Sequence, residues 1–129
     1  MQNKVKKQKA VITGMGIISP LGENINEYWT KLEQGVSGIG PMTLCDPSEF
    51  PSKIAGEVNT FDPITYIDKK EAKRMARFSQ MAVAAANLAI ENASITFTKD
   101  ELNRTAVIIG NGNGGFPELE QNARAQVLK

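Results

Sequence analysis

The most telling residue for chemistry in this chain is one that is missing. None of the 129 residues is histidine, so no imidazole of this chain can serve as general base, proton shuttle or metal ligand. There is one cysteine, Cys45, in Leu44-Cys45-Asp46-Pro47. A nucleophilic thiolate needs a helix N-terminus or a cationic neighbour to lower its pKa. Cys45 has an aspartate beside it and no lysine or arginine within five residues, so it reads as a loop residue. A lone cysteine forms no internal disulfide, which fits a reducing, cytoplasmic setting. No cofactor and no metal is expected.

Two glycine-rich turns remain as places where a ligand could sit. The first, Gly14-Met15-Gly16-Ile17-Ile18-Ser19-Pro20, follows the apolar run Ala10–Thr13. It starts like a dinucleotide fingerprint, but Ser19 stands at the third glycine and Pro20 follows, with no helix start. The expected reading is a strand whose exit turns sharply and packs against its neighbours. A small nucleotide-binding α/β domain is the alternative. The second turn, Gly110-Asn111-Gly112-Asn113-Gly114-Gly115, follows Val107-Ile108-Ile109, an unbroken apolar run typical of a strand buried on both faces. From Pro117 a helix begins, with acids in its first turn. Strand, glycine loop and helix form the layout in which open α/β sheets place their ligands.

The third feature is electrostatic. Lys69, Lys70, Lys73, Arg74 and Arg77 crowd together with only Glu71 among them. The pattern predicts one long helix from Lys69 to Asn92, with Met75, Phe78, Ala82, Ala85 and Ala89 on its period. Cations at a helix N-terminus oppose the dipole. The cluster is therefore either a solvated face or a docking patch for an acidic partner. The net charge of +1 argues against generic nucleic-acid binding.

Other elements must hold these features in place. Asn24 caps a helix whose apolar stripe, Ile25, Tyr28, Trp29 and Leu32, is expected to be core, and Gly35 ends it. Val36–Phe61 is loose, with a short strand expected over Ile54–Val58. Asp100-Glu101-Leu102 reads as one helical turn. No apolar run spans a bilayer and no signal-peptide core follows the basic start. Residues 1–9 read as a basic, polar tail.

In order along the chain, several blocks resemble the β-ketoacyl-acyl-carrier-protein synthases. They are Val11-Ile12-Thr13-Gly14-Met15-Gly16, Ser19-Pro20-Leu21-Gly22, Gly35-Val36-Ser37-Gly38-Ile39, and Phe50-Pro51 with Ile54-Ala55-Gly56-Glu57-Val58. Asp68 to Met75, Phe78, Gln80 and Ile108 to Gly115 complete the set. The subgroup it is most similar to is the elongating type II synthase of fatty-acid synthesis.

The resemblance implies an α/β, thiolase-like fold: two similar halves, each a mixed sheet with helices, usually in a homodimer. It implies an acyltransferase that lengthens acyl chains by decarboxylative Claisen condensation with malonyl-acyl carrier protein. Its partners would be the carrier protein and acyl and malonyl thioesters, with no nucleic acid and no membrane. A family cysteine takes the acyl group, two histidines and a lysine serve the condensation, and all four lie downstream of the glycine loop. None is matched here. Residues 10–129 are thus expected to be an incomplete N-terminal half, cut before the active-site cysteine, inactive alone and poorly folded or prone to aggregate. A non-catalytic, chain-length-factor-like partner is the alternative.

Two sites carry over by position. Lys70, Lys73 and Arg74 match the basic helix positions that contact the carrier protein. Asn113, between Gly112 and Gly114, matches a position that is often isoleucine and gates the acyl pocket. A buried amide against an alkyl chain must find its hydrogen bonds elsewhere, so a different chain-length preference is expected. Ala76 stands where an aspartate is common.

Overall fold

Helix boundaries in this chain are written largely by local capping chemistry. The computed structural model describes residues 9–127; residues 1–8 of the expected basic tail, and the last two residues, lie outside them. Helix α1, Ile25–Glu33, starts where Asn24 Oδ1 accepts the Glu27 N–H at 2.9 Å. It ends with Gly35 at φ +67°. There the Gly35 N–H donates to Leu32 O and the Val36 N–H to Lys31 O, at 3.0 and 2.9 Å. This pair of bonds closes the last carbonyls in a Schellman motif. The apolar stripe is less covered than expected: Ile25 and Tyr28 are half-buried, but Trp29 is 55% exposed and Leu32 45%.

Strand β1, Ile39–Pro41, pairs antiparallel with β2, Ile54–Gly56, with Ile39 opposite Gly56 and Pro41 opposite Ile54. β2 falls inside the expected strand. β1 was not expected, because glycine and proline are poor strand formers and leave no alternation to read.

The long basic helix is where the structure departs most from the pattern. It is two helices, α2 over Lys69–Ala72 and α3 over Arg77–Ala93. Asp68 Oδ1 caps α2 by accepting the Lys70 N–H at 2.8 Å. At Ala76 the backbone is extended, with ψ 150°. The Gln80 side-chain amide donates to Ala72 O and Met75 O, at 2.8 and 3.2 Å. Those bonds satisfy carbonyls that the break would otherwise orphan.

The small core gathers around these helices: Phe61, Ile67, Ala72 and, with no exposure at all, Ala84 of α3. Phe61 stacks on Tyr66 with ring centroids 5.9 Å apart. The first glycine turn lies against the Ala85, Ala89, Ala93 row of α3. A Cβ on Gly14 would come within 2.6 Å of the Ala93 Cβ, and one on Gly16 within 2.6 Å of the Ala89 nitrogen. Met15 N–H donates to Asn92 Oδ1 at 3.1 Å, and Ser19 and Gly22 exchange backbone hydrogen bonds across the next turn. The two glycines pack against α3 as expected, and beside them Met15, Gly16 and Ile17 line a groove of about 270 Å³ with Asn24, Leu88 and Asn92.

Two expected strands do not form as such. Ala10–Thr13 and Val107–Ile109 join no ladder, and Ile12 and Ile108 are 84% and 93% exposed. A strand needs a hydrogen-bonding neighbour for its N–H and C=O groups. Among the described residues the only named sheet is β1–β2. Helix α4, Lys99–Leu102, is the expected single turn, with a complete Thr98–Glu101 capping box. Helix α5, Phe116–Val127, follows the glycine loop as expected. No described helix is long and apolar enough to cross a membrane.

Candidate functional site

The break between α2 and α3 rearranges the basic cluster. Lys69, Lys70, Lys73 and Arg74 are all exposed, and no described carboxylate lies within 4 Å of them. Lys73 is the C-cap of α2, where the helix dipole favours a cation. Lys73 and Arg74 therefore lie at the end of a short helix, while Lys69 and Lys70 open it and Arg77 opens the next. Arg77 is set apart from the other four. Its Nη2 donates to Val58 O at 2.6 Å and its guanidinium lies 5.4 Å from the centre of the Phe61 ring. Arg77 anchors the first turn of α3, while the other four, with Glu71 among them, present an exposed face of net positive charge.

The second glycine loop is open at one end and seated at the other. A Cβ on Gly110 or Gly112 would meet nothing within 4 Å, and Asn113 is exposed. Gly114 and Gly115 lie on Phe78 of α3: a Cβ on Gly114 would come within 2.9 Å of its ring, and one on Gly115 within 3.2 Å. Gly115 also has φ +82°, a conformation that disfavours a side chain. Then the Leu119 N–H donates to Gly115 O at 3.0 Å, tying the loop to α5. Of the two groups of expected site residues, the loop reaches α3 through Gly114 on Phe78, while Lys70, Lys73 and Arg74 stay on the exposed surface of α2 and the turn after it.

Beside this seat is a groove of about 360 Å³ whose lining includes apolar Leu44, Val58, Phe78, Met81 and Pro117 and charged Arg77 and Glu118. Leu44 is put there by Glu57. The Glu57 carboxylate accepts the Thr43 hydroxyl at 2.6 Å and the Thr43 and Leu44 N–H groups at 2.9 and 3.0 Å. These bonds, the Thr43 hydroxyl first and the Leu44 amide next, pull its pKa down to about 2. Lys53 Nζ donates to the Pro47 carbonyl and, at 2.6 Å, to that of Ser48, pinning the other end of the same loop. Cys45 is exposed on this loop as a free thiol. Among the described residues no group of three or more His, Cys, Asp or Glu is arranged to hold a metal.

Sequence reasoning placed Phe78 on the helical period but missed that its ring carries the glycine loop. It also missed Glu57, for which an acid flanking a short strand gives no local signal. No local signal in the sequence marks Phe78 as the residue that seats the glycine pair.

The model of the family described as "Beta-ketoacyl synthase, N-terminal domain" matches residues 7–128. The chain is 40% identical over 116 residues to the 3-oxoacyl-[acyl-carrier-protein] synthase 2 of Synechocystis sp., covering 90% of this chain and 28% of that protein. It is 39% identical over 118 residues to the synthase of the same name from Coxiella burnetii, covering 92% of this chain and 28% of that one. A solved structure, the ishigamide ketosynthase/chain length factor, superposes with a TM-score of 0.62 at 40% identity. That match covers 67% of this chain and 21% of the solved one. The chain therefore spans a little over a quarter of the curated relatives it matches, and shares the ketosynthase, thiolase-like fold as an incomplete α/β half. With the family model running almost from end to end, the chain belongs to the beta-ketoacyl synthase family, as part of its N-terminal domain.

Proposed function

We propose that residues 10–129 act as the N-terminal portion of a 3-oxoacyl-[acyl-carrier-protein] synthase. This enzyme lengthens acyl chains by decarboxylative Claisen condensation with malonyl-acyl carrier protein. The observation that carries the reading is 40% identity to a synthase of that name across 90% of this chain. The chemistry requires a thiolate to accept the acyl group and donors aimed at the enolate oxygen formed as carbon dioxide leaves. With no histidine in the sequence, any imidazole in those roles comes from outside these residues.

Within the reaction this chain supplies binding. Lys70, Lys73 and Arg74 dock the acidic carrier protein, using exposed charge to speed encounter and orient it. Gly112, Asn113 and Gly114 form the rim of the acyl pocket, with Asn113 at the gate. The working protein is a cytoplasmic homodimer. The test is condensation by the synthase that carries this chain, supplied with acyl and malonyl carrier-protein thioesters. Release of carbon dioxide with formation of 3-oxoacyl product is expected; no product from these two thioesters refutes the reading.

A second reading has one observation in its favour: the superposed structure is a ketosynthase/chain length factor. A non-catalytic partner would form no product alone, yet would change product length when mixed with a catalytic subunit.

A further inference from the structure

The ring of Phe78 seats the glycine loop at Gly114 and Gly115, and in sequence Phe78 follows directly on the basic cluster. It lies four residues beyond Arg74 and one beyond Arg77, whose hydrogen bond to Val58 O and position over Phe61 fix the first turn of α3. Phe78 is 40% exposed among the described residues. Its ring fills the space that side chains on Gly114 and Gly115 would occupy. Met81 and Leu44 line the groove with Phe78, and the Leu44 N–H donates to the Glu57 carboxylate. The loop upstream of this contact, Gly110 to Asn113, has open space around its glycines. Its only firm support among the described residues is therefore at its downstream end, on this ring and on α5.

We propose that Phe78 is a positioning residue for acyl-chain selection: by seating Gly114–Gly115 it sets where Asn113 stands at the pocket rim. The inference rests on the proposed gating role of that loop. It assigns specificity to a side chain that need not touch the acyl chain. The physical basis is close packing. A glycine pair against an aromatic ring has one well-fitting arrangement, and a change of ring or of glycine shifts the loop as a unit.

The contact predicts a reciprocal pattern in the intact synthase. In Phe78→Ala the seat is lost, and the kcat/KM ratio between long and short acyl primers changes about tenfold, the scale of a changed methylene contact. The change falls in KM for the long primer. Phe78→Leu, which keeps much of the bulk, retains most of the wild-type ratio. Gly114→Ala drives a methyl group into the ring and also shifts the ratio, whereas Gly114→Ala combined with Phe78→Ala returns it toward wild type. Such non-additivity is the signature of a direct contact, and a general loss of stability would not produce it. Asn113→Ile is the control for the gate itself. If Asn113→Ile changes chain length while Phe78→Ala and Gly114→Ala leave it alone, or act additively, the inference is overturned and the gate stands. If Asn113→Ile also has no effect, the gating role fails and the inference falls with it.

Discussion

Ala76 is the N-cap of α3 and has no side chain able to accept a hydrogen bond. Its backbone, φ −63° and ψ 150°, already has the extended geometry of a capped helix start. In Ala76→Asp the new carboxylate would accept the N–H of Phe78 or Ser79, two of the first-turn donors that a helix leaves unpaired. Replacing alanine by aspartate at an N-cap is worth about 1 kcal/mol, within a range of roughly 0.5–2. The dipole adds in the same direction. Opening of the first turn then becomes about fivefold rarer, since about 1.4 kcal/mol is tenfold. The assay is amide hydrogen exchange at Phe78 and Ser79, where wild-type and variant rates are compared under identical conditions. The same substitution places a negative charge in the run Lys69, Lys70, Lys73, Arg74 and Glu71, taking its sum from +3 (four cations less one acid) to +2. Carrier association should therefore slow while α3 is strengthened. Ala76→Asn separates the two effects, because it caps about as well without adding charge. Equal exchange rates at Phe78 and Ser79 in all three proteins would refute the capping argument. Slower carrier association in Ala76→Asn would refute the electrostatic one.

Further expectations concern the packing, the clasp and the docking face. Gly16→Ala should destabilise the fold by about 1–3 kcal/mol, the usual range for overpacking, because its Cβ would meet the α3 backbone; an unchanged urea midpoint contradicts this. The Glu57 clasp should hold at any pH above the ordinary carboxylate value of 4.5 and weaken as pH falls toward about 2, since its folded pKa lies below the unfolded one. Thr43 and Leu44 amide shifts followed by NMR report this directly. A midpoint near 4.5, or no difference between wild type and Glu57→Gln at neutral pH, would show the clasp to be absent. Reversing charge in Lys70→Glu with Arg74→Glu should slow carrier association about tenfold or more at low ionic strength and flatten its salt dependence. Unchanged association rates at low salt would remove these residues from the docking face.

The elements governed by neighbours in sequence were legible without coordinates. The cap at Asn24, the left-handed end at Gly35, the turn over Asp100–Leu102 and the start of α5 each depend on hydrogen bonds spanning a few residues. Side-chain type and spacing largely determine such bonds. The family, too, was legible, because its motifs recur in order along the chain. Tertiary structure decided what lies between these signals. The helix pattern over Lys69–Asn92 carried no mark of the break at Lys73–Ala76, since alanine and arginine favour helix and the break is held by Gln80 reaching back to α2. Apolar runs at Ala10–Thr13 and Val107–Ile109 announced strands, yet a strand is a relation between segments and no ladder forms on them within residues 9–127. The two glycine turns were nearly indistinguishable as strings. Only packing separated them: one is filled by the alanine row of α3, and the other rests on Phe78 with its upstream end in open space. A sequence records that glycine is needed, but what occupies the space beside it is set by residues distant in the chain and near in the fold.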